Sequence, residues 1–277
     1  MHPHNRYYGQ NQVLAVYVGD IDRFSPPSIP GHLQHDWDLV HDCSDATRLG
    51  PGRTAYLWSG AAARRRSARG GSGQVVIGAP WLYLLELDLE EMPRPAPDPE
   101  DDPTAAEVTV APAGTLWLPR HDLRGEHAAR RLAAEIVERE TGPVTVALSH
   151  RDHAVPQLRQ AYLDTGLSVV TLGEREDEGG TDDPRYLLRL LELMRAHRSV
   201  ASNTLDALVL YAAAAGLSAQ VYGDAPDGPS AAHRDEAAVR GSSTSATLND
   251  IADRELGRRH LMPSAELSAV LEWSPRA

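Results

Sequence analysis

One cysteine, Cys43, and one phenylalanine, Phe24, stand among 277 residues. A lone cysteine excludes an intrachain disulfide and fits a reducing compartment, so the cytoplasm is the expected location. No apolar run approaches the roughly 18 residues needed to span a bilayer. The opening MHPHNRYYGQNQ lacks the charged-then-apolar pattern of a secretory signal. A peripheral membrane contact and a homodimer are both compatible with the chain. Basic charge is scarce: 27 Lys and Arg face 39 Asp and Glu, for a formal net charge of -12. Duplex binding needs a concentrated cationic face to displace counterions, so no nucleic-acid partner is expected. The one basic cluster, Arg64-Arg65-Arg66 with Arg69, lies in Ala/Gly/Ser-rich sequence. Its simplest reading is a solvated helix end or loop, and its sharper one is contact with a phosphate or a membrane surface.

Several catalytic signatures are also missing. No G-x-G-x-x-G follows the first expected strand, and there is no G-x-x-x-x-G-K-[ST], G-x-S-x-G or H-E-x-x-H. Dinucleotide redox chemistry, P-loop phosphoryl transfer, serine hydrolysis of that type and zincin proteolysis all lose support. In HLQHDWDLVHDC the residues His32, His35, His41 and Cys43 are of metal-ligand type, but their spacing matches no standard finger. No metal is assigned there, nor at His150 and His153.

What is present is an ordinary globular composition, 42% hydrophobic and 24% charged. The length suits one large or two modest domains, and two is the working count. Val13–Val18 (VLAVYV) predicts a buried strand, followed by strands at Trp37–His41, Thr54–Trp58 and Gln74–Ile77. Pro80 opens a helix, and the acid- and proline-rich stretch Glu90–Glu107 predicts an exposed loop. Gly114–Leu118 predicts a strand and His127–Glu140 a helix stopped by Thr141-Gly142-Pro143. The second half alternates more clearly. Strands are expected at Val144–Leu148, Leu167–Leu172, Ser199–Ala201 and Ala219–Tyr222. Helices are expected at Val155–Thr165, Asp183–His197 and Thr204–Ala215, the last stopped by Gly216. A Gly/Pro/Ser-rich loop from Ala225 to Asn249 and helices near Leu248–Leu256 and Ser264–Leu271 complete the chain. Strands alternating with helices imply parallel pairing, hence an α/β fold of two Rossmann-like units, 1–125 and 126–277.

Open α/β sheets bind ligands beyond the carboxyl ends of their strands, which directs attention to the polar residues there. In Arg198–Asp224, RSVASNTLDALVLYAAAAGLSAQVYGD, the triplet Ser202-Asn203-Thr204 falls between a strand and an apolar helix. A helix N-terminus carries unpaired N–H groups and about half a positive charge, so the triplet either caps the helix or closes around a phosphate. Gly173, at the end of VVTLG, allows close backbone approach, and Arg175 offers a guanidinium to a phosphate or carboxylate. His121-Asp122 ends the strand GTLWLP, where a histidine can serve as a general base or bind diphosphate.

Several segments, taken in order, resemble bacterial glycosyltransferases of the two-Rossmann-domain (GT-B) type, especially those of capsule and surface-polysaccharide synthesis. They are VVIGAPWLYL (75–84), GTLWLPRHD (114–122), GPVTVALSHRDH (142–153), LSVVTLGERED (167–177), Arg198–Asp224 as quoted, and IADRELGRRHLMPSAELSAVLEW (251–273). The resemblance implies sugar transfer from a nucleotide-sugar donor to the hydroxyl of an unidentified acceptor, with two sheets facing an interdomain cleft, the 1–125 unit on the acceptor side and the 126–277 unit binding the donor. Gly173 and Arg175 would lie near the nucleotide, and Ser202, Asn203 and Thr204 at the phosphates. His121, or an acid of the first unit such as Asp20, would deprotonate the acceptor. No cofactor beyond the nucleotide-sugar substrate and no metal is implied. The chain departs from the family at Asp206, where glycine is usual, at His150, where an aromatic is usual, and at Asp122. Those departures motivate a different class of reading, a non-catalytic shell serving as partner or scaffold in a biosynthetic complex. A sugar-nucleotide epimerase or a pyruvyl transferase on the same architecture is the third.

Overall fold

The computed structural model describes residues 3–19, 26–37, 53–87, 112–120, 125–173, 185–224, 239–240 and 245–273. After a 3₁₀ turn at Pro3–Gly9 come α1 (Gln10–Val18), β1 (His32–Leu33), β2 (Ala55–Leu57), α2 (Gly60–Ala68), β3 (Gln74–Val76) and α3 (Pro80–Glu86). These are followed by β4 (Thr115–Trp117), α4 (Gly125–Arg139), β5 (Val144–Leu148), α5 (His150–Ala154), α6 (Pro156–Leu163) and β6 (Ser168–Thr171). The chain ends with α7 (Tyr186–Arg195), β7 (Ser199–Ser202), α8 (Ala207–Ala214), β8 (Ser218–Val221), α9 (Ser245–Leu256), a 3₁₀ turn at Arg258–His260 and α10 (Ser264–Val270).

The fold is α/β with two parallel sheets. One has three strands in the order β1-β2-β3, and the other has five in the order β6-β5-β4-β7-β8. The second is doubly wound, and its side chains divide by the strand pleat. Val146, Leu148 and Trp117 pack against α4 and α6, while Leu116, Ala147 and Val200 face α7 and α8. On β1, the side chain of Asn5 substitutes for a neighbouring strand. Its Nδ2 donates to Gly31 O at 2.9 Å and its Oδ1 accepts from Leu33 N at 2.8 Å.

The structure departs from the sequence reading at five elements. Val13–Val18 is not a strand: it lies within α1, where Gln10 through Ala15 are all buried. With Gln10, Asn11 and Gln12 buried, the first turns of α1 show no polar face to solvent, and the apolar run that follows imitates a buried strand. The strand expected at Trp37–His41 is not seen in its described part, because Trp37 stands outside any strand and residues 38–41 lie outside the described residues. The helix expected from Thr204 starts at Ala207, and the final long helix starts at Ser245, inside the expected loop. Gly114–Leu118, expected in the first unit, supplies β4, the central strand of the second sheet. By sheet membership the division therefore falls between Val76 and Thr115. The loop at 90–107 lies outside the described residues. Arg64–Arg66 lie in α2 and Arg69 forms its C-terminal cap.

The two sheets share one apolar core, which includes Trp58, Trp81, Leu116, Leu188, Leu210, Ile251 and Trp273. The Trp81 indole from α3 stacks on the Tyr211 ring from α8 with centroids 4.6 Å apart and planes at 12°. Its Nε1 also donates to Tyr211 O at 3.0 Å. The C-terminal helices return to the first sheet. Tyr56 donates to Val270 O, and buried Glu255 accepts from Trp37 Nε1 at 3.0 Å and Arg65 Nη2 at 2.8 Å. Gly257 allows the return, because a β-carbon there would lie 1.9 Å from Trp58 O, and its φ of 76° suits glycine. Among the described residues no helix is long and apolar enough to cross a membrane.

Trp81→Ala would empty a site at 0% exposure and remove the stack. A loss of about 3–5 kcal/mol is expected by denaturant unfolding. Loss below about 1 kcal/mol would show that the junction is held elsewhere.

Candidate functional site

Strand order in the second sheet reverses between β4 and β7, and the chain beyond them forms a connected polar frame. Arg120 N, past β4, donates to Asn203 Oδ1 at 3.0 Å, and Asn203 Nδ2 donates to Asp224 O at 3.2 Å. Arg240 spans the next pair of strands, donating from Nη1 to Gly223 O at 2.7 Å and from Nη2 to Asn203 O at 2.9 Å. Asn203, fully buried, thus ties together the ends of β4, β7 and β8.

Asp206 is the N-terminal cap of α8. Its Oδ1 accepts from Leu208 N at 3.0 Å and from Val209 N at 3.2 Å. A capping carboxylate uses amides that would otherwise face an anion. Asp206 is half-buried, with protein crowded around its carboxylate. Desolvation pushes its pKa up to about 7, the hydrogen bond from Val209 N opposes this, and the nearby charge of Asp36 adds to the rise. The hydrogen bond from Leu208 N and the positive charge of Arg120 also pull it down, but these effects are smaller.

Asp36 follows β1 of the other sheet, where its Oδ1 accepts from Trp37 N at 2.8 Å. A carboxylate past the carboxyl end of one sheet is therefore close enough to raise the pKa of one past the carboxyl end of the other. Tyr211 belongs to the same group. Burial first, then Asp36, Tyr8, Tyr186 and Asp206, raise the pKa of its phenol. Tyr8 and Tyr186 have ring centroids 5.1 Å apart, and Tyr8 holds φ at 62°, a left-handed conformation uncommon for an aromatic residue.

The expected site residues are distributed differently from the sequence reading. Ser202, Asn203 and Thr204 lie at the switch point but are buried, at 0%, 0% and 1% exposure. Ser202 Oγ accepts from Thr204 N at a long 3.4 Å, so the triplet packs the end of β7 while Asp206 caps the helix. Gly173 is at the end of β6, three strands away from β7, or about 14 Å. It has a structural reason to be glycine: φ is 81°, and a β-carbon would lie 2.3 Å from Nη2 of Arg189. That nitrogen donates to Leu172 O at 3.1 Å. His121, Asp20 and Arg175 lie outside the described residues, as do His41 and Cys43. His32 is buried in β1, with its ring 6.2 Å from that of His35. Sequence reasoning missed Asp36, Arg120, Tyr211 and Arg240 as members of the group. Asp206 carried a usable signal, since an aspartate just before an apolar helical run is a preferred cap.

A scan against models of known protein families and a search of curated proteins both return no match.

An acid held above its ordinary 3.8 binds its proton more tightly folded than unfolded. Its contribution to stability is therefore greatest below that value and falls as pH rises to about 7. Asp206→Asn retains an oxygen for the two amides and removes the charge. It should gain stability relative to wild type between about pH 5 and about pH 8, whereas Asp206→Ala should lose about 1 kcal/mol of capping at low pH. Denaturant unfolding at both pH values checks this. A gap between wild type and Asp206→Asn that does not change with pH would contradict the raised pKa.

Proposed function

We propose that the protein is a nucleotide-sugar-dependent glycosyltransferase with two Rossmann-like units, acting in the cytoplasm, whose reaction centre lies where the carboxyl edges of its sheets meet. The observation that supports this reading most is that Asp36, past β1 of the first sheet, and Arg120, past β4 of the second, both act electrostatically on Asp206. In open parallel sheets that edge is where ligands bind, and here two such edges share one ionisable group.

In this reading Asp206 is the general base. A carboxylate with its pKa near neutrality takes up a proton at working pH while keeping enough basicity to accept one. The acceptor hydroxyl gives its proton to Asp206, and its oxygen bonds to the anomeric carbon. The bond from that carbon to the diphosphate oxygen breaks, and the nucleoside diphosphate leaves with the electron pair. Arg120 and Arg240 supply positive charge beside the developing anion. Asn203 holds both loops in place, so the triplet acts through position rather than by offering free donors. His121, next to Arg120 in the chain, is the second candidate for the base, Asp20 a third, and Arg175 with Gly173 the expected contacts of the nucleotide.

A second reading has its own support. Asp206 occupies the helix terminus that the resemblance assigns to phosphates, as expected of a shell that has lost catalysis and retained a scaffold role. Thermal shifts with UDP-, dTDP-, GDP- and CMP-sugars, followed by product mass analysis, separate the two. The transferase reading expects a raised melting temperature with one nucleotide class and a product heavier by one sugar. In Asp206→Asn, binding should persist while turnover falls at least about a hundredfold. Binding without transfer would favour the scaffold, and no binding at millimolar concentration would remove both donor and transferase.

A further inference from the structure

The carboxyl edge of the first sheet has a charged feature that the proposed reaction does not use. After β2, Ser59 caps α2 and Gly60 begins it. A β-carbon on Gly60 would meet His260 Nε2 at 3.4 Å and Arg64 Nη1 at 3.6 Å, so both side chains stand over the same glycine. Arg259 is close enough to His260 that its charge lowers the imidazole pKa, after the larger effect of burial. His260 is half-buried, and Arg64 and Arg259 are exposed.

The neighbouring cations have counter-charges. Arg65 and Arg254 both pair with Glu255, at 2.8 and 2.9 Å, and Arg258 pairs with Asp253 at 2.6 Å. Arg64, Arg259 and His260 have no ion pair or side-chain hydrogen bond among the described residues. In a chain of net charge -12, Arg64 and Arg259 are two cations near His260 with no acid paired to either among the described residues. A small anion beside them supplies the missing counter-charge. The chain contains no lysine, so all 27 of its basic residues are arginine, whose planar fork suits phosphate oxygens.

We propose that Arg64, Arg259 and His260 form a phosphate-binding site over Gly60, on the carboxyl edge of the first sheet. The ligand is a phosphate monoester. Identifying that ester as the sugar acceptor rests on the transferase reading above, because the first sheet is the acceptor side in that reading. The site itself does not depend on it. Its small size, one glycine with Arg64 and His260 over it and Arg259 near His260, fits a single phosphate group. The acidic remainder of the chain disfavours extended polyanions.

The test uses the full chain without nucleotide. Calorimetric titration with inorganic phosphate and, separately, glucose 1-phosphate should show binding of both. In the double variant Arg64→Gln/Arg259→Gln affinity for each should fall at least about tenfold, since each charge-assisted hydrogen bond removed is worth that much or more. Arg151→Gln/Arg195→Gln removes the same charge at exposed positions on the other unit and should bind phosphate as wild type does. Gly60→Glu, which places a carboxylate beside Arg64 and His260, should abolish binding while the circular dichroism spectrum is retained. Absence of phosphate binding at millimolar concentration in the wild type overturns the site, as does equal affinity in the Arg64→Gln/Arg259→Gln variant. Nucleotide-induced stabilisation of the wild type is a separate readout: its absence sinks the transferase reading and leaves the phosphate site standing.

Discussion

Stacking of the Trp81 indole on Tyr211 joins the first sheet to the second, and the geometry of the shared acidic centre follows from it. The rings are nearly parallel at 4.6 Å, and the indole N–H is held by the carbonyl of the same tyrosine. Trp58 approaches Tyr211 as well, at 6.1 Å. Large aromatic side chains bury wide areas with few rotatable bonds, so such a contact orients what it joins as well as stabilising it. With its ring fixed in the core, Tyr211 carries its phenol into the neighbourhood of Asp36 and Asp206. One residue thus sets both the packing of the sheets and the low polarity around the acids.

That low polarity determines how Asp206 behaves. On an exposed helix a capping aspartate is favoured by the helix dipole, and its pKa falls. Here two amides bond to it in the same way, yet desolvation outweighs them and the like charge of Asp36 adds to the rise. A group of that kind is expensive to keep for structure alone, since asparagine or serine would cap α8 without a buried charge. Strongly shifted acids are candidates for proton transfer, and this physical ground favours Asp206 over the other described carboxylates.

Much of the architecture was legible because it depends on local rules. Pro80 at a helix start, Gly216 at a helix end and the strand-helix alternation after Val144 all correspond to observed elements. Failures arose where long-range packing overrode local pattern. VLAVYV is a helix whose polar start, Gln10–Gln12, is buried together with Val13–Ala15, which no window of sequence reveals. Ser202-Asn203-Thr204 has the composition of a helix cap, but β7 runs through Ser202 and the chain needs three more residues to turn, leaving the cap to Asp206. Arg120, Asp36 and Tyr211 are separated by long stretches of sequence, and only the register of two sheets brings them to one place. The same holds for His260 and Gly60.

Carboxylates from two different sheets, Asp36 and Asp206, act on each other across a common centre, and everything proposed for the site depends on that pairing. The most direct measurement is a carbon-detected NMR titration of the Asp206 carboxyl in the wild type and in Asp36→Asn. The wild-type carboxyl should titrate near about 7 and move clearly downward once the charge at position 36 is removed. A carboxyl that titrates in the ordinary aspartate range, unmoved by Asp36→Asn, would contradict the shared centre.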